Sequence, residues 1–279
     1  MKFTFRAATR DDSTIISRFL EMVPFVHRHL DWRTPLDWLG SQPYLLLEER
    51  DSLVAILACP PEPQEAAWIR LFAVEPLFDE EEIFRLLVEK AHHLLESSSS
   101  VRLVALALQP WFEELLISSG FSTHQSIVVL EWNEILPPVI PSPVNMTLRP
   151  MQSNDLSVVQ HLDELAFEPI WQYSELALVN ALAQTAFSTV AEIDSQIVAY
   201  QMSTAYTYTG HLARLAVHPQ LRRQSIGYNL VRHLLAEFKA RGIWRVTVNT
   251  QSDNLASQRL YQKLGFHFTG ENIPVYEYH

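Results

Sequence analysis

The chain has 279 residues, 48% of them hydrophobic and 19% charged, with 21 basic against 32 acidic side chains and a formal net charge of −11. That apolar content excludes a disordered chain and supplies one large core or two smaller ones, while no apolar run nears the roughly 18 residues that a membrane span needs. The acidic balance argues against nonspecific binding to nucleic acid, and the single cysteine, Cys59, excludes an intrachain disulfide or a multi-cysteine metal site and suits a reduced, cytoplasmic setting.

Met1–Arg6 turns polar before any signal-type apolar stretch develops, so no leader is expected. A short apolar strand ends near Phe5-Arg6, and Asp11-Asp12 cap an amphipathic helix. Asp51-Ser52 places a polar turn between two strand-like runs, which reads as a hairpin. Phe72-Ala73-Val74 is a strand broken by Pro76, and Asp79-Glu80-Glu81-Glu82 opens the next helix. Ser97 to Ser100 reads as a helix-to-strand connection. Leu136–Pro143 then carries four prolines in eight residues, an extended and stiff stretch. The expected division is therefore a front domain over 1–136, a proline-rich linker over 137–145 and a back domain over 146–279.

The back half repeats the plan of the front. Phe5–Asp12 lies against Leu148–Asp155, Asp51–Ala55 against Asp194–Ala199, Phe72–Pro76 against Leu215–Pro219, and Gly120-Phe121 against Gly265-Phe266. Four matches in one order, with the offset drifting only from 143 to 145, point to a duplicated domain. Strands are expected near 146–149, 188–193, 197–208, 211–217 and 244–249, and the helix after Ser225 buries Ile226, Leu230, Val231, Leu234, Leu235 and Phe238 on one face. The fold class is α/β (α+β), a mixed sheet covered by helices. The copies differ in charge: before Val144 there are 11 basic and 21 acidic residues, after it 10 and 11, or net −10 against −1.

Two back-half segments carry chemistry. In Val217–Gly227 a strand ends, Pro219 breaks it, and a helix starts near Ser225, leaving unpaired N–H groups at a helix N-terminus beside Arg222 and Arg223. Gly227 lets the backbone approach a ligand, so the segment fits a diphosphate cradle, and equally an ordinary strand-to-helix turn with solvated arginines. In Asn254–Phe266, Asn254 stands at a cap, Gly265 stops the helix, and Tyr261 lies about two turns inside, as a proton donor or as a core tyrosine.

In this order and spacing the two segments resemble the GCN5-related N-acetyltransferase (GNAT) superfamily. Its signature Arg/Gln-x-x-Gly-x-Gly/Ala is matched by Arg222, Ser225 and Gly227, with Ser225 in place of the middle glycine; Asn-x-x-Ala-x-x-Leu-Tyr-x-x-x-Gly-Phe is matched by Asn254, Ala256, Leu260, Tyr261, Gly265 and Phe266. The resemblance covers about 146–279. It implies two tandem GNAT-like domains, each a mixed, mostly antiparallel sheet with a splayed central strand pair. It further implies acetyl-CoA as cosubstrate, its pyrophosphate held by the N–H groups of Arg223, Gln224, Ser225, Ile226, Gly227 and Tyr228 with Arg222 beside them. Its pantetheine arm would lie along Leu215-Ala216-Val217, near Asn254. Tyr261 would protonate the departing thiolate.

The glutamate that relatives often place on the fourth strand is missing from Leu212-Ala213-Arg214-Leu215, which leaves His211, a water chain or an already neutral amine as the route for the proton. By the same analogy the region of Glu164, Phe167, Trp171 and Tyr173 roofs the acceptor. The expected function is acetyl transfer to a primary amine of a small molecule or peptide N-terminus, with no nucleic acid, membrane or metal involved and room for a homodimer. A noncatalytic acyl-CoA-binding module is the alternative.

In the front copy Asp79–Glu82 stands where Arg222–Ser225 does, Phe84 where Gly227 does, Gln109 near Asn254 and Leu116 at Tyr261. That copy is expected to keep the fold and lose the cosubstrate. His27-Arg28-His29 and His92-His93 are expected at surface or helix positions, and Trp111-Phe112 in a core or pocket lining.

Overall fold

The computed structural model describes residues 2–96, 101–133 and 135–279, so the serine run at 97–100 lies outside the described residues. The front half runs β1 (Phe3–Ala7), α1 (Ser13–Met22), β2 (Phe25–Arg28), β3 (Tyr44–Glu49), β4 (Ser52–Ala58), β5 (Ala66–Trp68), β6 (Leu71–Val74), α2 (Glu80–Leu95), β7 (Arg102–Leu106), α3 (Pro110–Ser118) and β8 (Phe121–Asn133). The back half follows with β9 (Met146–Pro150), α4 (Leu156–Ala166), α5 (Glu175–Gln184), β10 (Phe187–Ile193), β11 (Gln196–Tyr206), β12 (Thr209–Val217), α6 (Ile226–Ala240), β13 (Arg245–Gln251), α7 (Leu255–Lys263) and β14 (His267–Tyr278). This is the mixed α/β plan read from the sequence.

The duplication is visible in side chains as well as in element order. Arg6 donates to Asp12 at 2.8 and 3.0 Å and to Glu48 at 2.8 Å. Arg149 repeats this with Asp155 at 2.7 and 2.9 Å and Glu192 at 2.7 and 2.9 Å. Both hairpins turn through two left-handed residues, Arg50-Asp51 and Asp194-Ser195, the backbone that matches the twist of the flanking strands.

Two compact units form: residues up to Gln125 with Ile273–His279, and Ser126–Asn272. This corrects the boundary expected at the proline segment. Ile127–Asn133 pairs antiparallel with β13 inside the second unit, and Val275–Tyr278 pairs with β7 inside the first. A strand takes whichever edge offers free N–H and C=O groups, and linker composition does not specify that choice. Residues 137–141 are also less free than a linker: Pro137, Pro138 and Pro141 carbonyls accept from Arg232 (3.0 Å), Tyr228 (2.9 Å) and Asn229 (3.5 Å) of α6.

In the first unit β5 runs parallel to β7, from Ala66↔Arg102 to Trp68↔Val104. Beyond it β6 pairs instead with β4 on one side and β2 on the other, with Phe25↔Val74 and Arg28↔Leu71. Phe72, Phe84 and Phe112, all fully buried, fill the space below. The second unit is built alike: β12 runs parallel to β13 and antiparallel to β11, which continues to β10 and β9. Its core sits between α6 and the sheet, around Tyr228, Val231, Leu234, Leu235, Phe238, Val246 and Val248.

Candidate active site

The site grows from a strand that leaves its neighbour half-way. β12 and β13 are in parallel register only from Thr209↔Arg245 to Leu212↔Val248. At that point β12 bulges: Leu212 faces Ser203 and Arg214 faces Met202, with Ala213 unmatched between them. A bulge bends the strand and raises its twist, so Ala213–Val217 turns away from β13. Among the described residues no strand pairs with the β13 side of Leu215–Val217. Its backbone groups form an open edge able to accept an extended ligand as an added strand.

That edge leads to the start of α6. Ser225, the N-cap, has φ +64° and gives the helix no side-chain cap, and Arg223 also lies at φ +65°. Left-handed residues in such a turn point successive N–H groups into one concavity, which suits an anion. Serine at the usual glycine position therefore keeps the left-handed backbone, at some strain cost. The contrast with α2 is direct: there Asp79 accepts from Glu81 N–H at 3.1 Å and Glu82 N–H at 3.0 Å, filling the same place with the chain's own carboxylate. Arg222 and Arg223 are exposed, Arg222 lying at 3.4 Å from the Val217 carbonyl and 3.2 Å from that of Ala166.

Other expected site residues have more structural positions than the motif suggests. Gly227 is buried, and a Cβ there would meet Leu260 Cδ2 at 3.3 Å and Val217 Cγ2 at 3.4 Å. Its lack of a side chain lets α6 seat closely on β12 and α7, a packing role beside the expected close approach to ligand. The Asn254 side chain is occupied as the α7 cap, accepting from Ser257 N–H at 3.1 Å. Tyr261 is 4% exposed, within the core around Trp132 and Phe266. Burial pushes its phenol well up, so it holds its proton at neutral pH. Among the described residues its hydroxyl has no hydrogen-bond partner.

His211 sits on β12 just before the bulge, its Nδ1 2.8 Å from Thr247 Oγ1. Burial lowers its pKa from the usual 6.5, which keeps the imidazole neutral and able to accept a proton. Leu215, Ala216 and Val217 form the open edge, while Gln224, Ile226 and Tyr228 flank or enter the first turn of α6, the last two buried.

Sequence reasoning missed a buried ion pair beside these residues. Arg214, the residue after the bulge, donates to both oxygens of Asp163 on α4, at 2.8 and 2.7 Å, and to the Trp171 carbonyl at 2.6 Å. Its guanidinium stacks 3.5 Å from the Phe167 ring and 4.0 Å from that of Tyr173. Asp163 is fully buried and also accepts from the Tyr173 N–H at 2.8 Å and from the Tyr200 hydroxyl. With both oxygens so engaged it is no free base. The available signal was Arg214 set in the otherwise apolar run Leu212–Val217. Phe167 and Tyr173, expected to roof an acceptor, turn a face to Arg214.

Residues 156–266 match the acetyltransferase (GNAT) family. That stretch, within the back half, carries the sequence pattern of the GNAT family. Acetyl-CoA is the cosubstrate of that family, and the open β12 edge with the uncapped start of α6 fits an extended arm ending in a diphosphate. Among curated proteins, the GNAT half is similar to a ribosomal protein bS18-alanine N-acetyltransferase of Escherichia coli, 24% identical over 120 residues, covering 43% of this chain and 80% of the relative. An uncharacterised N-acetyltransferase of Methanocaldococcus jannaschii is 26% identical over 122 residues, covering 43% and 78%. The fold of the whole chain is that of tandem GNAT proteins: one from the clavulanic acid biosynthesis pathway aligns over 99% of this chain and 98% of its own (TM-score 0.66, 14% identity). A GNAT structure from Sphaerobacter thermophilus aligns over 99% and 95% (TM-score 0.61, 17% identity).

The front copy shares the fold of the tandem GNAT structures and carries different side chains at the positions of the back-half motifs. Phe84, in register with Gly227, is fully buried, its ring 4.7 Å from Phe72 and 5.6 Å from Phe112. Leu116 is buried, and Gln109 stands at the N-cap of α3 with no side-chain bond to the helix backbone, its amide oxygen accepting from the Trp111 indole. Against expectation His27 is neither on the surface nor in a helix: it lies in β2, 1% exposed, stacked 3.8 Å from Phe112. Among the described residues there is no cluster of metal donors, and no helix is long and apolar enough to cross a membrane.

Proposed function

We propose that the back half transfers an acetyl group from acetyl-CoA to a primary amine by direct attack, and that the chain holds one cosubstrate. The observation that carries this is the parting of β12 from β13 at Leu212, with an open edge running into an uncapped, arginine-flanked helix start. Bound acetyl-CoA supplies an activated acyl carbon and a thiolate leaving group. The N–H groups of Arg223–Tyr228 and the side chains of Arg222 and Arg223 bind the diphosphate. Leu215–Val217 holds the arm by backbone pairing, and an N–H of that edge stabilises negative charge developing on the acyl oxygen. Neutral His211 accepts a proton from the amine, and Tyr261 delivers one to the departing sulfur.

The acceptor is a small-molecule amine or a peptide N-terminus. The bacterial relative named for alanine N-acetylation supports including alanine-initiated peptides among the candidates, and the net charge of −11 supports including cationic amines such as a polyamine or aminoglycoside. The test is thiol release from acetyl-CoA with such a panel. Release should require an amine and fall about 10²-fold in Tyr261→Phe, with coenzyme A affinity retained. Calorimetry should count one coenzyme A per chain, lost when Arg222 and Arg223 are both replaced by glutamate. Tight binding without turnover across the panel would favour a noncatalytic acyl-CoA-binding module instead.

A further inference from the structure

The two copies treat the same piece of chain in opposite ways. In each, the first helix ends in an extended residue, Val23 or Phe167. In the front copy the following residues become β2 and zip onto β6, with His27 opposite Phe72 and Val26 opposite Ala73. Phe72–Val74 is the counterpart, at an offset of 143, of Leu215–Val217, so the front copy covers with its own backbone the edge that stays open in the back copy. In the back copy the corresponding residues form a tight 3-10 turn, Pro169–Trp171, and do not join β12.

The difference lies in the latch around Arg214. At the same offset, Arg214 corresponds to Leu71 and Asp163 to Leu20, so the front copy lacks both charges. In the back copy the guanidinium grips Asp163, the Trp171 carbonyl and the rings of Phe167 and Tyr173 at once. Its side chain is 8% exposed and that of Asp163 fully buried, so any movement of this segment would strip the Trp171 carbonyl and both ring faces from the buried guanidinium and the Tyr173 N–H from Asp163. Ile170 and Trp171 are otherwise good strand formers.

We propose that Arg214 is a positioning residue that holds residues 167–173 off the edge of β12, and that without it this segment adds to that edge as β2 adds to β6. The inference rests on the reading that coenzyme A lies along Leu215–Val217. Arg214 then favours cosubstrate binding without touching the reacting atoms, by preventing the chain from occupying its own site.

The test uses the full chain, coenzyme A calorimetry and amide exchange. Arg214→Lys keeps the charge but loses the bidentate grip and the stacking. It should weaken coenzyme A about ten-fold or more, as a self-occupied state becomes dominant, while amides in 213–217 gain protection. Such a gain is the opposite of what a merely loosened structure gives. Glu168 is exposed at φ −66° and follows extended Phe167, so proline fits there and removes a strand donor next to Pro169. Adding Glu168→Pro to Arg214→Lys should return affinity to within about three-fold of the parent and abolish the new protection. Phe167→Leu strips one stacking face, leaves the ion pair, and should move both readouts the same way by a smaller factor. Unchanged affinity in Arg214→Lys, a loss that proline does not restore, or reduced protection at 213–217 would each overturn the proposal. If the parent chain takes up no coenzyme A, the reading of the back half fails, and the exchange pattern of Arg214→Lys still decides the latch.

Discussion

Replacing Phe84 by alanine tests whether the front copy has exchanged a cosubstrate slot for a core. Phe84 is 0% exposed and packs on Phe72 (4.7 Å), Phe112 (5.6 Å) and Phe121 (6.1 Å), where the back copy has Gly227. Truncating a ring so enclosed removes its transfer free energy and leaves a cavity, about 3–5 kcal/mol in comparable cores. The surrounding rings are themselves packed on all sides, which limits collapse and places the expected loss in the upper part of that range. In a unit of this size it corresponds to a fall of about 10–20 °C in the first unfolding transition. Urea unfolding measures the loss, and calorimetry of the folded variant counts coenzyme A. The count should remain one per chain, because β2 still covers β6 and Asp79 still caps α2. A loss below about 1 kcal/mol, or a second molecule of coenzyme A, would refute the reasoning.

Acid should destabilise the first unit through His27. Burial holds its pKa at about 4, against 6.5 as the ordinary value, despite the Ile69 carbonyl 3.2 Å from Nε2. The unfolded chain therefore binds more protons between these values, so stability is full above pH 6.5 and is lost progressively toward pH 4, by at most about 3 kcal/mol. His27→Phe should flatten that part of the stability profile; an unchanged slope would count against it, and the difference between the two proteins separates His27 from nearby His29. For His211, whose pKa burial also lowers, kcat/KM should fall on the acid side with an apparent pKa below 6.5, and His211→Gln should remove that limb. A limb that survives the substitution assigns the proton to another acceptor.

Much of the back half is legible from local signals. Proline after Val217, glycine after Leu264 and the apolar face from Ile226 to Phe238 fix element ends and types through backbone sterics and burial, which act over a few residues. Motif spacing likewise located the α6 start and the α7 cap. The motif left the roles of its members less determined: Gly227 is needed as much by Leu260 and Val217 as by any ligand, and the Asn254 carbonyl is spent on its own helix. His27 could not be placed from sequence, because its burial depends on Phe112 and Ile69, both far along the chain.

The sequence by itself determined the duplication and the α/β class, since both are written in residue type at a fixed offset. Tertiary structure alone decided which edges the strands take, so that Ile127–Asn133 completes the sheet beside β13, and Val275–Tyr278 the one beside β7. It also decided that Arg214 meets Asp163, 51 residues earlier, in a buried pair. Strand pairing and charge burial are settled by competition among distant partners for the same donors and the same dry space, and no local pattern records the winner.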